Sequence, residues 1–435
     1  MAEIHPINGI RYNTKPVKDL AEVICPPYDI ISPQQQGELY ARSPYNFVRI
    51  EYGLETPGDS PSDNRYTRAE AFLEQWLREG VLAADTTPAI YIDDHYFTHK
   101  GKELKRRGMV ARIRLEEWHR MIVRPHEGTL SGPKSDRISL IRALKANTSP
   151  ILSMYEDKEK TIHRVLSHAT SDKPIARVHK LEGERHDLWA ITNPDDLNVI
   201  ISALKNEPVY IADGHHRYES ALVYQREQNA LHPETGTAAA FNFVMMTLVA
   251  FDDPGLLILP PHRLLRGLSH SKLDELQAEL STFFDIERLP LKGTETWRNL
   301  DEWQNAGDSQ RLVLFGLDGD NFLLLTLRDF EAAGRFMPNF RTDIYKKLDV
   351  SLVDHIILEE MLGIKPEGES GISFNYDRED SVKKVQNGEF QLAFVIKPVR
   401  PETIKAISDA SDRMPRKSTY FYPKLPSGLV LNRLI

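Results

Sequence analysis

Cysteine, long apolar runs and excess positive charge are all scarce in this sequence. Its one cysteine, Cys25, excludes an internal disulfide and fits a reducing compartment, so we expect a cytoplasmic protein. No apolar run approaches the roughly 18 residues that a membrane helix requires, so a membrane is not an expected partner. The formal net charge of −8 does not suit a nucleic-acid binder, and nucleic acid is not an expected partner either.

Two common phosphate-binding motifs and the usual zinc spacing are also missing. The sequence has neither Gly-x4-Gly-Lys-Ser/Thr nor a Gly-x-Gly-x-x-Gly that opens a helix. Adjacent His215 and His216 would point about 100° apart on a helix, unlike the i and i+4 histidines of a helical zinc motif. We therefore expect no zinc and no flavin, and a bound nucleotide would need another kind of phosphate cradle.

Length and element order predict a mixed α/β (α+β) protein with more than one domain. A chain of 435 residues is too long for one ordinary core. Up to residue 251 the sequence contains both strand and helix patterns. A second α+β series follows, with few clusters of ionisable residues. We predict domains at residues 1–251 and 252–399, and a C-terminal segment, 400–435, that packs back on the core. The sequence specifies no oligomeric state.

The richest chemistry lies in residues 209–221. The β-forming start predicts a strand, Gly214 a turn, and the residues from His216 onward a helix. Unpaired N–H groups and the helix dipole attract anions to a helix N-terminus, and a preceding glycine lets an anion approach. A structural turn, with Asp213 as N-cap and solvated histidines, is the alternative. The candidates for phosphate binding are Gly214, His215, His216 and Arg217, with Asp213 as the nearby carboxylate.

A second concentration of ionisable residues lies in residues 124–137. Two glycines and two prolines predict a loop without regular structure, followed by a helix. His126 and Glu127 could act as acid or base, and Lys134 and Arg137 could hold anionic oxygens. A merely solvated charged loop is the alternative interpretation.

Two N-terminal stretches contain further candidate site residues. Two consecutive prolines in residues 25–32 predict a rigid loop that holds Tyr28 and Asp29 in place. The alternation in residues 46–51 predicts a strand with Arg49 on the face opposite its apolar neighbours.

Two features further along the chain leave alternatives open. His262 and Arg263 directly follow an apolar strand, and a solvated strand end is the simpler interpretation. Residues 414–430 combine prolines, aromatics and cations, which predicts an ordered strap; the alternative is a terminal strand whose lysines extend to solvent. The residues of this strap that could reach an active cleft are Lys417, Ser418 and Thr419.

Four motifs in this order resemble one widespread prokaryotic family long catalogued only as a domain of unknown function. They lie at residues 25–32, 126–137, 212–219 and 414–424, and the similarity covers nearly the whole chain. The family is similar in its central motif to the ParB/sulfiredoxin superfamily, where a strand–loop–helix with a Gly…Arg signature binds nucleotide phosphates. The resemblance therefore implies a ParB/sulfiredoxin-like N-terminal core, whose pattern falls on Asp213, Gly214, His216 and Arg217.

The resemblance also bears on which activity to expect. Sulfiredoxins carry their cysteine at the position of His215, so sulfinic-acid repair is disfavoured. A DNA-bound clamp is disfavoured because no basic helix-turn-helix follows and the chain is acidic. Some similar family members are kinases that phosphorylate free L-serine with a nucleotide donor.

We therefore expect a nucleotide-dependent phosphotransferase that converts L-serine to O-phospho-L-serine, with ATP or ADP as co-substrate and Mg²⁺. A non-catalytic, nucleotide-binding regulatory protein is the alternative. Glu127 is the expected general base, with His126 beside it, and Asp213 would hold Mg²⁺ or orient the hydroxyl. The remaining assignments are Lys134 and Arg137 to the γ-phosphate or substrate carboxylate, and Tyr28, Asp29 and Arg49 to the substrate.

Overall fold

A computed structural model describes residues 2–129, 131–179, 183–307, 309–365 and 371–435. No helix within these ranges has the length and apolar character needed to cross a bilayer. In chain order, the strands are β1 (Ile4–His5), β2 (Ile10–Tyr12), β3 (Leu82–Ala84), β4 (Ile90–His99), β5 (Lys102–Arg114), β6 (Val123–Arg124), β7 (Ala146–Asn147), β8 (Ile151–Tyr155), β9 (Ala176–His179), β10 (Arg185–Ile191), β11 (Val209–Asp213), β12 (Phe243–Ala250), β13 (Leu257–Leu259), β14 (His262–Leu265), β15 (Phe284–Pro290), β16 (Arg311–Asp318), β17 (Asn321–Leu327), β18 (Ile372–Asn375), β19 (Leu392–Val395), β20 (Tyr420–Tyr422) and β21 (Asn432–Arg433).

The α-helices are α1 (Pro33–Arg42), α2 (Val48–Glu51), α3 (Arg65–Arg78), α4 (Ser131–Leu144), α5 (Thr161–Ala169), α6 (Pro194–Leu204), α7 (His215–Leu231), α8 (His270–Phe283), α9 (Thr294–Asn305), α10 (Phe330–Gly334), α11 (Asp343–Lys346), α12 (Asp349–Leu352), α13 (Arg378–Gln386) and α14 (Pro401–Asp409). Short 3₁₀ turns occur at Leu20–Glu22, Tyr28–Ile30, Trp118–Arg120 and Ala240–Asn242.

The first of two compact units is built on a mixed sheet. It contains the chain up to Pro125, Thr129–Leu257 and Pro423–Ile435. Among the described residues, nine strands form this sheet in the order β6-β11-β8-β12-β5-β4-β10-β9, with β1 added on β5. The pairs β11–β6 and β12–β8 are parallel, and the other pairs are antiparallel. The mixed α/β class that the sequence predicts is confirmed.

The centre of this sheet follows from its apolar sequence. Every residue of β12 except its last is buried, as a strand covered on both faces requires. Apolar side chains from α6 and α7 pack with β12 in one core cluster. The position of β11 and α7 is therefore fixed by a large buried surface, which favours a rigid junction between them.

Charged residues fix the register of β4, β5 and β10. Successive side chains of a strand point to opposite faces, so neighbouring paired positions form two rows. A slip of one residue would exchange the rows and separate the paired charges. The rows are Arg106–His95–His186 on one face and Arg107–Asp94–Asp187 on the other.

The second unit, His126–Gly128 and Ile258–Tyr422, is built on an antiparallel sheet. Its strand order is β15-β17-β16-β19-β14-β18, and every pair is antiparallel. The second α+β series predicted from the sequence is confirmed in this sheet. The predicted domain limits at residues 251 and 399 stay a prediction.

The strand predicted at residues 46–51 is wrong, because this stretch forms the short helix α2. The Asn46 side chain accepts a hydrogen bond from the Val48 N–H at 3.1 Å and donates to the Glu22 carbonyl at 2.8 Å. Asn46 therefore starts a helical turn instead of an extended strand. The buried residues of α2 are Val48, Ile50 and Glu51, so the apparent alternation did not mark one buried face.

The loop predicted through residue 137 is also wrong in part. Helix α4 begins at Ser131, seven positions before the predicted start at residue 138. Gly132 and Pro133 lie in its first turn, where proline is tolerated because the N–H it lacks would have no helical partner.

The solvated strand end predicted at His262 and Arg263 is wrong. These residues are 2% and 1% exposed. Arg263 pairs with Asp354 (3.1 Å) and donates to the Pro261 and Lys417 carbonyls. Burial outweighs this pairing and raises the pKa of Asp354. Asp354 lies in a π-helical segment, Val353–Met361.

The end of the chain returns to the N-terminal part of the first unit. The backbones of Cys25 and Ser427 exchange two hydrogen bonds, of 3.2 and 2.8 Å. Ile10 and Leu431 exchange another pair, and β21 joins β7. These contacts bring the 25–32 motif and the residues just before Ser427 to one place.

Candidate functional site

The strand–glycine–helix junction predicted at residues 209–221 is present. β11 ends at Asp213, Gly214 has φ +102°, and α7 begins at His215. No side chain caps α7, so the N-cap role considered for Asp213 is wrong. His215 is 7% exposed, which contradicts a pair of solvated histidines. The first N–H groups of α7 therefore form a potential anion site.

Two cations hold the Asp213 carboxylate. Lys424 Nζ donates to Oδ1, and Arg217 Nη2 donates to Oδ2 at 2.7 Å. Burial alone would raise the pKa of Asp213, but Lys424 and Arg217 outweigh it and hold the pKa well below its ordinary value. Asp213 is thus a stable anion that positions two cations at the start of α7.

Arg217 folds back over the glycine. A Cβ added to Gly214 would lie 2.9 Å from the guanidinium nitrogens Nε and Nη2. Arg217 also donates to the Pro150 carbonyl, so its hydrogen bonds to Asp213 and Pro150 use two of its five N–H groups. Gly214 is needed both for its positive φ and for this close approach.

Lys424 links the junction to the N-terminal motif. Its Nζ lies 3.8 Å from Asp29 Oδ2, and its side chain is 9% exposed. Next to Asp29, the Tyr28 ring lies 3.8 Å from the Arg137 guanidinium carbon. Burial raises the pKa of Tyr28 to about 12, so its hydroxyl stays protonated at neutral pH. Three predicted residues, Tyr28, Asp29 and Arg137, are therefore close to one another or to the Asp213 pair.

The two cations predicted in the 124–137 loop lie on α4 and already have carboxylate partners. Arg137 is 6% exposed and donates to Asp136 and to the Glu51 carboxylate and carbonyl. Lys134 lies 3.2 Å from Glu219 Oε2. These hydrogen bonds link α4 with α2, so Arg137 has few N–H groups left for a ligand.

Within the described residues, Arg49 contacts side chains and carbonyls of α1, the segment after it, and α3, where its guanidinium carbon lies 5.9 Å from the Phe72 ring centre. It donates to the Tyr40 carbonyl at 2.7 Å, and its guanidinium carbon lies 4.2 Å from the Tyr40 ring centre. These contacts join α1 to α2, so they support a structural role and do not bring Arg49 to Asp213.

His126 and Glu127 belong to the second unit, whereas the Asp213 junction belongs to the first. His126 is fully buried, with Nε2 3.0 Å from the Thr419 hydroxyl. Glu127 Oε1 accepts from the Ser418 N–H and the Thr419 hydroxyl at 3.3 Å each. The predicted acid–base pair and two strap residues are thus assembled together.

Lys424 was not among the predicted site residues. It lies 211 positions from Asp213, and no local spacing connects them. Its membership in the C-terminal motif was the available signal. Tyr218 lies in the central motif but has no predicted role: its hydroxyl donates to the Glu116 carbonyl at 2.8 Å and accepts from the Glu116 N–H. Tyr218 therefore anchors α7 to the chain after β5.

One His/Glu/His group in the described part of the chain has metal-ligand spacing. His95, Glu184 and His186 place ligand atoms within 4.8 Å of one another. However, Arg106 Nη2 lies 3.2 Å from His95 Nδ1, and an arginine can only donate. The proton of neutral His95 then sits on Nε2, which faces Glu184 at 3.1 Å. That nitrogen has no lone pair for zinc, so this arrangement fits a hydrogen-bond network better than a metal site.

Asp213 does not fit the Mg²⁺ role either. Each of its carboxylate oxygens accepts from a cation, Lys424 on one side and Arg217 on the other. A hard dication needs free oxygen ligands and is repelled by neighbouring positive charge. The Mg²⁺ assignment to Asp213 remains a prediction that this geometry does not favour.

The chain belongs to a family described as "Protein of unknown function (DUF1015)", whose model matches residues 4–351. No curated protein matches its sequence. Among solved structures it resembles a conserved hypothetical protein from Pyrococcus furiosus, at 14% identity and a TM-score of 0.35, over 75% of this chain and 97% of that one.

Two other solved structures are similarly remote. A free serine kinase in complex with AMP matches at 13% identity and a TM-score of 0.34, over 72% of this chain and 86% of that one. SbnI from Staphylococcus aureus, truncated at its C-terminus, matches at 10% identity and a TM-score of 0.35, over 72% and 84%.

Replacing Lys424 by methionine should destabilise the first unit by about 1–3 kcal/mol at pH 7, because it leaves a partly buried carboxylate, 22% exposed, with one partner fewer. Asp213 has a depressed pKa, so its pairing stabilises the fold above the unfolded-state pKa of about 3.9 and is lost as pH falls through the folded-state pKa. The difference between Lys424→Met and wild type should therefore shrink below about pH 4. Urea denaturation at pH 7 and pH 3.5 measures it.

Lys160→Met is the matched control for Lys424→Met. Lys160 pairs with Asp252 in the same unit, but the side chains are 47% and 61% exposed. An exposed pair contributes at most about 1 kcal/mol. Equal losses in the two variants would contradict the structural weight given to the Asp213 pair.

Gly214→Ala should lower the free energy of unfolding by about 2–3 kcal/mol. Alanine is strained at positive φ, and its Cβ would displace the Arg217 guanidinium. Gly80→Ala is the control: Gly80 has φ +70° and nothing within 4 Å of an added Cβ, so it should lose only about 1 kcal/mol. Chemical denaturation compares them, and equal losses would show that the Arg217 contact has no weight.

Proposed function

We propose that the protein transfers a phosphoryl group from a nucleotide to a small hydroxylated metabolite, with L-serine as the expected acceptor. The carrying observation is the convergence of Arg217 and Lys424 with the N-terminus of α7 around the Gly214 turn. The resemblance of four motifs to a family with kinase members supports the same proposal. We call Asp213, Gly214, Arg217 and Lys424 the phosphate cradle.

The cradle suits phosphate because its cations are held in place before a ligand arrives. Phosphoryl transfer requires in-line positioning and neutralisation of phosphate charge, with little covalent chemistry from the protein. N–H groups at the start of α7 and the remaining donors of Arg217 are oriented for an anion. His215 and His216 follow Gly214 in the first turn of α7 and complete the predicted phosphate contacts.

The proposed step breaks the terminal P–O–P bond of the nucleotide and forms a P–O bond to the acceptor hydroxyl. The hydroxyl proton passes to a carboxylate, for which Glu127 remains the proposed base, with His126 beside it. Asp213 is less suited to this role because its pKa is depressed by two bound cations. Asp29, 3.8 Å from Lys424, is proposed to meet the amine of the substrate. No step is assigned to a metal at Asp213.

The decisive assay incubates the protein with L-serine, Mg²⁺ and ATP, ADP or CTP, and detects O-phosphoserine by mass spectrometry. The proposal predicts product with at least one donor. Nucleotide binding without product from any donor would contradict transfer to L-serine and favour the regulatory alternative. Absence of both binding and product would remove the phosphate cradle as well.

Arg217→Gln should weaken nucleotide binding about 10- to 100-fold, because hydrogen bonds to charged groups contribute roughly 1.5–3 kcal/mol. Arg226→Gln, on the same helix, should leave binding unchanged, since Arg226 pairs with Glu117 and is 59% exposed. Calorimetric titration with ADP measures both. Similar affinities for Arg217→Gln and wild type would place the nucleotide elsewhere.

A further inference from the structure

Glu127 is held by donors from a short stretch of the strap. Its Oε1 accepts from the Ser418 N–H and the Thr419 hydroxyl, at 3.3 Å each. Ser418 is 1% exposed, and its hydroxyl donates to the Pro415 carbonyl. The Ser418 N–H meets Glu127 only while the peptide between Lys417 and Ser418 keeps its orientation. Whatever fixes that peptide therefore also fixes the proposed base.

The peptide between Lys417 and Ser418 is hydrogen-bonded on both sides. The Lys417 carbonyl and the Ser418 N–H belong to one planar unit and point in opposite directions. Arg263 Nη1 donates to the carbonyl at 3.0 Å, and Glu127 accepts from the N–H. Rotation of the peptide would break both hydrogen bonds at once. Arg263 and Glu127 are thus coupled through a single rigid piece of backbone.

Lys417 has a backbone conformation that needs such support. Its φ is +55°, in the left-handed region that is unfavourable for a residue with a Cβ. Residues in this region persist where surrounding contacts hold them, and they are concentrated at functional sites. Lys417 is exposed, so burial of its side chain does not explain the conformation. The hydrogen bond from Arg263 to its carbonyl is a contact that stabilises it.

Arg263 is itself firmly oriented. It is 1% exposed, and its Nε and Nη2 donate to the two oxygens of Asp354 at 3.1 and 3.2 Å. With the Pro261 and Lys417 carbonyls, these hydrogen bonds use four of its five N–H groups. A buried ion pair adds little net stability over apolar side chains of the same volume, so orientation explains this pair better. Asp354 lies in the π-helical segment Val353–Met361, a rare structure that is frequent at functional sites.

We propose that Arg263 is a positioning residue for Glu127: oriented by Asp354, it fixes the Lys417 carbonyl and thereby presents the Ser418 N–H to the carboxylate. The role of Glu127 as the base rests on the proposed function, whereas the contacts of Arg263 do not. Lysine cannot replace arginine here, because an ammonium lacks the planar fork that meets a carboxylate and two carbonyls together.

Amide hydrogen exchange tests the geometric part of the proposal without any turnover. Arg263→Lys in the full chain should speed exchange of the Ser418 N–H about tenfold, because the peptide loses its support on the carbonyl side. Exchange in β17 should not change, which separates a local effect from general destabilisation. Asp354→Asn is the second variant should Arg263→Lys fold poorly. It should act in the same direction but less, because the amide oxygen still accepts from Arg263.

Steady-state kinetics tests the consequence for the proposed reaction. Arg263→Lys should lower kcat for phosphoserine formation about 10- to 100-fold, as expected for a misplaced reacting group. ADP affinity should not change, and rates are normalised to the fraction of protein that binds ADP. In a Glu127→Gln background, Arg263→Lys should cause no further loss of kcat, because both changes act through one carboxylate. A merely structural role would lower kcat equally in both backgrounds.

Arg288→Lys is the matched control, since Arg288 pairs with Asp318 in the same unit but its side chain is 61% exposed. It should leave Ser418 exchange and kcat unchanged. Unchanged Ser418 exchange in both Arg263→Lys and Asp354→Asn would overturn the proposal, and so would equal losses of kcat in the wild-type and Glu127→Gln backgrounds. Faster Ser418 exchange in a protein that forms no phosphoserine would uphold the positioning of Glu127 and reject the kinase activity.

Discussion

The candidate site depends on one partly buried carboxylate held by two cations. Asp213 ends β11, Arg217 comes one helical turn later, and Lys424 comes from the C-terminal part of the chain. Removing either cation would leave this carboxylate with a single cationic partner, so the same residues contribute to the site and to the stability of the unit. The same arrangement keeps positive charge at a helix N-terminus, where a phosphate can exchange for part of the contact with Asp213.

Local patterns in the sequence predicted the strand–glycine–helix junction well, but they did not predict contacts between residues far apart in the chain. Strand, turn and helix at 209–221 have short-range causes in β-formers, a glycine and helix formers. The ion pairs Lys424–Asp213 and Arg137–Glu51 depend on how distant segments of the chain pack. The strand prediction for residues 46–51 was wrong for a related reason. The Asn46 side chain accepts a hydrogen bond from the Val48 N–H and starts a helical turn, although the sequence alternates as a strand would.

The predicted site residues now fall into groups with different physical roles. Gly214 and Arg217 form the cradle, while Arg137 and Arg49 stabilise helix contacts. His126 and Glu127 are assembled with Ser418 and Thr419 in the second unit. The family motifs therefore include structural supports beside the proposed ligand contacts, and spacing alone does not separate the two.

The most direct measurement is a crystal structure of the chain bound to ADP. The account predicts terminal phosphate oxygens within about 3.2 Å of the first N–H groups of α7 and of the Arg217 guanidinium. Lys424 should lie between the phosphate and Asp213. A nucleotide bound away from Gly214, with the Arg217–Asp213 and Lys424–Asp213 contacts unchanged, would contradict the central claim that this turn is the phosphate cradle.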